Sequence, residues 1–269
     1  MIKRIIIVII ALFGPSTINA QDQLTHLNAG LAKMQLGENT EAITEFSKAL
    51  AIDSNYKEAY YQRGLARIQL GSNAEAIADW SKVIRLDSMY KDAYFHRGRA
   101  KYKAHEFKDA IADFNKTLSI DSTYTEAHYN SGLCSMELND KKGAVASFDK
   151  AIRLDPKHKY SYYNRGIIKY KLREYKGSVD DLTHACDLDS KYQFAYYNRG
   201  IAKYKLNDYK GAVSDFNKAI DIDPRYADAY FSRGLAKVDL KKTESACTDF
   251  TKAGELGMNV YDTLKFYCN

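Results

Sequence analysis

Proline is scarce in this sequence, with only Pro15, Pro156 and Pro224 among 269 residues. Together with only 15 glycines, this excludes the composition of a disordered linker or a collagen-like chain and suits a mostly helical protein. The apolar run near the start, from Ile5 to Phe13, is short. Its nine residues rise roughly 14 Å as a helix, whereas a bilayer span needs about 20 residues. Chemistry-bearing motifs are missing as well. There is no phosphate-cradling loop, nucleophile elbow or metal-spaced cluster, and the six histidines include no pair at i,i+4 spacing. No cofactor, metal or catalytic residue is therefore expected, and the chain does not read as an enzyme. Concentrated basic charge is also absent, because lysines interleave with acids throughout, which argues against a nucleic-acid partner.

The first residues form a separate object. Lys3 and Arg4 precede the apolar run, Gly14-Pro15 break it, and Ile18-Asn19-Ala20 offers a cleavage site. Residues 1–20 therefore read as a signal peptide cleaved after Ala20, which sends the protein to the periplasm or the exterior of a bacterial cell. No cysteine follows the run to carry a lipid anchor, and no stable membrane span is expected after cleavage. Loss of Lys3 and Arg4 would leave 38 basic and 34 acidic residues, a net charge of +4.

The dominant signal is a ruler of seven glycines, Gly30, Gly64, Gly98, Gly132, Gly166, Gly200 and Gly234, spaced 34 residues apart. A fixed period of this length marks stacked helix-turn-helix repeats, none of which can bury its apolar face alone. With the glycine as position 8, seven repeats begin at 23, 57, 91, 125, 159, 193 and 227 and fill residues 23–260. Position 20 is alanine or serine throughout, and position 24 carries Phe46, Trp80, Phe114, Phe148, Leu182, Phe216 and Phe250. Small residues at 8 and 20 predict close approach of two antiparallel helices, with the large ones filling the wedge beside them. The apolar spacing of Val260–Tyr267 predicts a C-terminal capping helix within residues 261–269.

Comparison between repeats adds a contact. Position 7 is arginine in five repeats, and the same five have aspartate at position 23; repeats with Ala29 or Ser131 have Glu45 or Ser147 instead. The pattern predicts a structural Arg–Asp pair between the two helices of those repeats. Aspartates recurring at position 31, such as Asp53 and Asp223, read as capping or turn residues. Cys134 and Cys186 replace core residues. Cys247 fits either as a core residue or as the partner of Cys268 in a disulfide closing a loop of about 20 residues.

The repeat resembles the tetratricopeptide repeat family, to whose consensus residues 196–224, YYNRGIAKYKLNDYKGAVSDFNKAIDIDP, come close. The resemblance implies an all-α, right-handed superhelical solenoid with the first helix of each repeat (A) lining a concave groove and the second (B) outside. It also implies that positions 2, 5, 6, 9, 12 and 13 of the A-helices face the groove. A carboxylate clamp for chaperone C-termini, found in some members, is not encoded, since position 5 is never lysine.

Groove candidates follow from those positions. Asn130, Asn164 and Asn198 at position 6 could grip an extended backbone, an amide being donor and acceptor together. Such a row is similar to the asparagine ladder in the solenoid of the O-linked N-acetylglucosamine transferase. The competing reading is that these asparagines merely solvate the helix face. Tyr163 and Tyr197 at position 5 either contact a ligand or pack between A-helices. Tyr102, Tyr170 and Tyr204 at position 12 are read as more open, and Lys103, Lys171 and Lys205 beside them bias the ligand toward acidic character. The sequence thus points to a non-enzymatic protein-interaction scaffold of the bacterial envelope that binds a protein or extended peptide. Two alternatives stay open: a binder of carbohydrate or anionic envelope polymer, and a structural element that self-associates.

Overall fold

The computed structural model describes residues 15–268, so most of the expected leader, residues 1–20, lies outside the described residues. From Pro15 onward the chain is helical, and no described helix is long and apolar enough to cross a membrane. The helices fall into two compact units divided after Cys134. The first holds α1 (Pro15–Gln35), α2 (Asn39–Ile52), α3 (Lys57–Gln69), α4 (Asn73–Leu86), α5 (Lys91–Lys103) and α6 (Phe107–Ile120). The division falls inside α7 (Thr125–Glu137). The second unit continues with α8 (Lys141–Leu154), α9 (Lys159–Lys171), α10 (Tyr175–Leu188), α11 (Gln193–Lys205) and α12 (Tyr209–Ile222). It closes with α13 (Ala227–Asp239), α14 (Thr243–Glu255) and the short α15 (Tyr261–Tyr267). The described residues contain no strand.

Two turns recur. Between the helices of a repeat, position 15 is left-handed in all seven: Gly37 and Gly71 first, then His105, Asn139, Arg173, Asn207 and Lys241, with φ of 57–64° in these five. That conformation stops the A-helix and turns its last carbonyls toward the following amides. Between repeats, the position-31 aspartate adopts extended backbone, and its carboxylate accepts the N–H two residues on, as in Asp87 with Met89 and Asp189 with Lys191. The aspartates are therefore turn residues. In three repeats the same carboxylate also pairs with the position-1 lysine, Lys57 with Asp87, Lys91 with Asp121 and Lys159 with Asp189.

The glycine ruler is explained by contact. A Cβ placed on Gly98 would lie 2.8 Å from Cε1 of Phe114, and one on Gly200 2.7 Å from Cε1 of Phe216. The position-24 ring thus lies directly against the glycine rather than beside it. Phe46, Phe114, Phe216 and Phe250 are fully buried, each worth roughly 1.5–3 kcal/mol of transfer free energy. Position 20 is equally closed, from Ala42 to Ala246.

Helix direction follows from the polar contacts. Arg63, Arg97, Arg165, Arg199 and Arg233 each place Nη2 at 2.5–2.8 Å from the position-23 aspartate of their own repeat. Further along, Arg67 at position 11 donates to the carbonyl of Glu75 at position 19, so index falls on one helix as it rises on the other. The pair is antiparallel, and the Arg–Asp contact predicted from the repeats is present in all five. Position 11 adds a second cation at 2.5–2.9 Å from the same carboxylate: Arg67, Lys101, Lys169, Lys203 or Lys237. The guanidinium's Nη1 reaches back to position 25 of the preceding repeat, on Ser47, Ser81, Asp149, Thr183 or Asn217, at 2.5–3.3 Å. One aspartate therefore clamps two helices, and its arginine ties them to the repeat before.

Cys247 on α14 and Cys268 beyond α15 form a disulfide with a Cα–Cα separation of 5.7 Å, fastening the last helix to the last repeat. Phe250 and Tyr267 stack beneath it, ring centroids 5.9 Å apart.

Candidate functional site

Successive A-helices run side by side in parallel register. In the second unit the Tyr163 hydroxyl on α9 accepts from Asn198 on α11 at 3.2 Å, and the Tyr204 hydroxyl on α11 donates to Asp239 on α13 at 2.6 Å. Position 5 thus meets position 6 of the next repeat, and 12 meets 13, which gathers the candidates of the second unit on one A-helix face.

A cavity of about 200 Å3 opens in that face in the second unit. Tyr170, Tyr204 and Lys205 border it together with Ile201 and Leu235, and Ser232 supplies a hydroxyl. Burial and then the Asp239 hydrogen bond push the Tyr204 phenol up, and burial does the same for Tyr170. Both are un-ionised amphipathic rings at neutral pH. Neither stands fully open, because Tyr170 packs on Tyr175 and Tyr204 on Tyr209, both at 5.4 Å between centroids. Tyr102 packs on Phe107 in the same way in the first unit, at 5.6 Å.

The lysines divide by function. Lys101, Lys169 and Lys203 at position 11 are held by buried aspartates. Lys103, Lys171 and Lys205 at position 13 are exposed and make no ion pair among the described residues. Of these two sets, the second is the one that offers positive charge to a ligand. Lys205 borders the cavity; Lys171 does not, and Lys103 belongs to the first unit.

The asparagines are partly engaged in the fold. The side-chain amide donates to the carbonyl four residues earlier in its own helix: Asn130 to Glu126 at 2.7 Å, Asn164 to Tyr160 at 3.0 Å and Asn198 to Phe194 at 2.8 Å. Asn198 spends its second donor on Tyr163. What its amide keeps for a ligand is the carbonyl oxygen, so it is an acceptor for N–H groups more than a two-way grip.

Position 5 packs between repeats. Tyr163 lies 4.9 Å from Tyr192 and Tyr197 4.9 Å from Tyr226, centroid to centroid, and burial raises both position-5 phenols. Phe95 meets Tyr124 in the same geometry. The partner ring sits at position 34, just before the next A-helix, a place the repeat comparison did not single out although tyrosine stands there in five repeats. The position-11 cation was likewise missed, yet it leaves with the Arg–Asp pair in repeat four, where Ser135 accompanies Ser131 and Ser147.

Catalytic features are few. Among the described residues no group of three or more His, Cys, Asp or Glu is placed to hold a metal ion. Cys186 is buried and its thiol is pushed up to about 12, far from a nucleophilic thiolate.

Antiparallel helix pairs repeating every 34 residues define a helical-repeat protein. Family models described as "TPR repeat" match residues 30–71, 64–105 and 202–241, and one described as "Tetratricopeptide repeat" matches 125–158. Together they take in more than half of the chain, which belongs to the tetratricopeptide repeat family. No curated protein sequence matches it. Among solved structures it is similar to YrrB, described as a TPR protein with an unusual peptide-binding site. The TM-score is 0.63 at 23% identity, over 70% of this chain and 96% of that one. MamA is similar at 27% identity and TM-score 0.58, over 63% and 97% of the two chains. The C-terminal part of a TPR repeat-containing protein from Cytophaga hutchinsonii gives TM-score 0.76 at 16% identity, over 89% and 98%.

Proposed function

We propose that the protein is an exported, non-enzymatic scaffold whose A-helix face binds a protein or extended peptide. The observation that carries this reading is the apolar cavity bordered by Tyr170, Tyr204 and Lys205, a recess with rigid amphipathic rings and an unpaired cation on a face built from several repeats. The Asn198 carbonyl on the same helix α11 supplies an acceptor for a peptide N–H. YrrB, similar in fold, is a TPR protein with a peptide-binding site, which supports the same class of ligand. Export is supported by the apolar, basic-flanked character of residues 3–20 and by a disulfide that an oxidising compartment would preserve.

The test is capture from envelope extract on immobilised residues 21–269, beside a variant carrying Tyr170→Ala, Tyr204→Ala and Lys205→Ala that keeps the parent's circular dichroism. A protein retained by the parent and lost by the variant supports the reading and names the partner. Equal retention by both moves the site away from this cavity. Displacement by glycans and not by peptides would favour the carbohydrate reading, and concentration-dependent light scattering would favour self-association.

A further inference from the structure

A second cavity lies in the first unit and differs in kind from the one above. It holds about 220 Å3 between α3 and α5. Leu65, Ile68 and Gln69 line it from α3, and His96, Arg99 and Lys103 from α5. Trp80 of α4 completes it, stacked on His96 at 5.5 Å. Position 9 is leucine or isoleucine in six repeats and arginine only at Arg99, while position 6, elsewhere an amide or serine, is histidine only at His96. Two departures from the repeat meet in one recess.

Both charged side chains that line it are cations, and the carboxylate of Asp92 acts on His96 from outside the lining. Arg99 and Lys103 are exposed and have no carboxylate partner among the described residues, and no acidic side chain lines the cavity. Arg99 rests instead over the Phe95 ring, 5.8 Å from its centroid. Burial first, and then Arg99 itself, hold the imidazole of His96 down at about 4, so at neutral pH it is an uncharged aromatic surface. The recess therefore combines aliphatic side chains, a flat indole and imidazole, and two unpaired cations. A guanidinium presents a fork of donors that matches a carboxylate in two places, and an ammonium beside it adds a point charge.

We infer that this cavity is a carboxylate-binding subsite on the A-helix face of the first unit, taking an anionic group carried on a short apolar stem, either a glutamate side chain or the C-terminus of a bound peptide. The inference rests on the reading of that face as a peptide-binding surface and specifies where an acidic ligand group would sit.

Trp80 is the single tryptophan of the chain, so its fluorescence reports directly on this cavity. The experiment titrates the protein with three probes: acetyl-Ala-Ala-Ala-Leu with a free carboxylate, the same peptide as its amide, and acetyl-Ala-Glu-Ala-Ala amide. At least one carboxylate peptide is expected to give a saturable emission change that the uncharged amide does not, weakened by added salt. Arg99→Ala should weaken it by roughly tenfold, and Arg225→Ala, an equal loss of charge on a turn of the second unit, should leave it alone. Response to the free terminus alone assigns the subsite to C-termini, and response to the glutamate peptide alone assigns it to side chains. An equal response to the neutral amide, or an unchanged response in Arg99→Ala, overturns the subsite. So does silence toward both carboxylate peptides at concentrations up to about 10 mM, a limit close to the weakest useful affinity. Loss of partner capture in the Tyr170/Tyr204/Lys205 variant with no effect of Arg99→Ala would sink this subsite and leave the peptide-binding reading standing.

Discussion

Asparagine in place of Asp215 isolates what one carboxylate contributes to the repeat. Asp215 is 3% exposed and accepts from Arg199 Nε at 2.9 Å, Arg199 Nη2 at 2.6 Å and Lys203 Nζ at 2.8 Å. The amide keeps the shape and one acceptor but turns an NH2 toward a donor and leaves two cations unneutralised. Breaking a buried pair by removing one partner costs about 3–5 kcal/mol. Here the two cations keep 14% and 22% of their side-chain surface exposed, so water recovers part of the loss, and about 2–4 kcal/mol is expected. The comparison is Glu255→Gln, whose carboxylate pairs with Lys252 at the surface with 58% and 45% exposure and should cost little. Urea unfolding followed by far-UV circular dichroism reads both. Because repeat arrays need not unfold in one step, hydrogen exchange of the α11 and α12 amides should show the loss concentrated there. Replacing all three members, Arg199→Met, Lys203→Met and Asp215→Leu, should recover much of the stability. If Asp215→Asn costs no more than Glu255→Gln, the aspartate clamp is decoration and the repeats are held by apolar packing alone.

Gly98→Ala should destabilise by about 1 kcal/mol, the helix-propensity gain of roughly 1 kcal/mol being outweighed by overpacking of about 1–3 kcal/mol against Phe114. A more stable variant in urea would contradict the close approach. His96 binds its proton less readily in the folded chain than in the unfolded one, where the pKa is about 6.5, so its contribution to stability is complete above that value. The contribution falls as pH drops toward 4, by about 2–4 kcal/mol in total, with Arg99 opposing the charge and Asp92 partly offsetting it. Parent minus His96→Gln stability should therefore decline between pH 6.5 and 4, and a flat difference would refute the depressed value. Reduction of Cys247–Cys268 should release α15, raising exchange of its amides while α9–α11 stay protected, with up to about 3 kcal/mol lost locally. Unchanged protection of α15 would show that packing of Tyr267 on Phe250 holds it without the bridge.

What the sequence made legible is what recurs with the same residue. The position-8 glycines and position-24 rings are nearly constant, and the loss of Arg at position 7 coincides with the loss of Asp at 23, so antiparallel pairing could be read from one chain. The position-25 acceptor escaped because Ser47, Asp149, Thr183 and Asn217 share only a side-chain oxygen; the guanidinium asks for an acceptor, not for a particular residue. Position 34 escaped because His158 and Val260 interrupt its five tyrosines and it lies just outside the helices whose periodicity carries the signal. Two lysines two apart in a helix point to different faces, so Lys203 is drawn to the buried Asp215 while Lys205 stays on the A-helix face.

The same division explains where specificity can reside. Positions 7, 8, 11, 20, 23 and 24 carry the packing and the charge clamp, and a change there is felt by the fold. Arg99 at position 9 and the lysines at position 13 are exposed and outside that network, so such places can vary from repeat to repeat at little cost in stability. In a chain that otherwise repeats itself, a departure at one of these positions is therefore informative in a way that a recurrent residue is not. Tyr204 and Lys205 have counterparts in two other repeats, whereas His96 and Arg99 occur once. A face with one distinctive anchor can fix the register of an extended ligand, which a uniform ladder of amides and tyrosines would leave free to slide by one repeat.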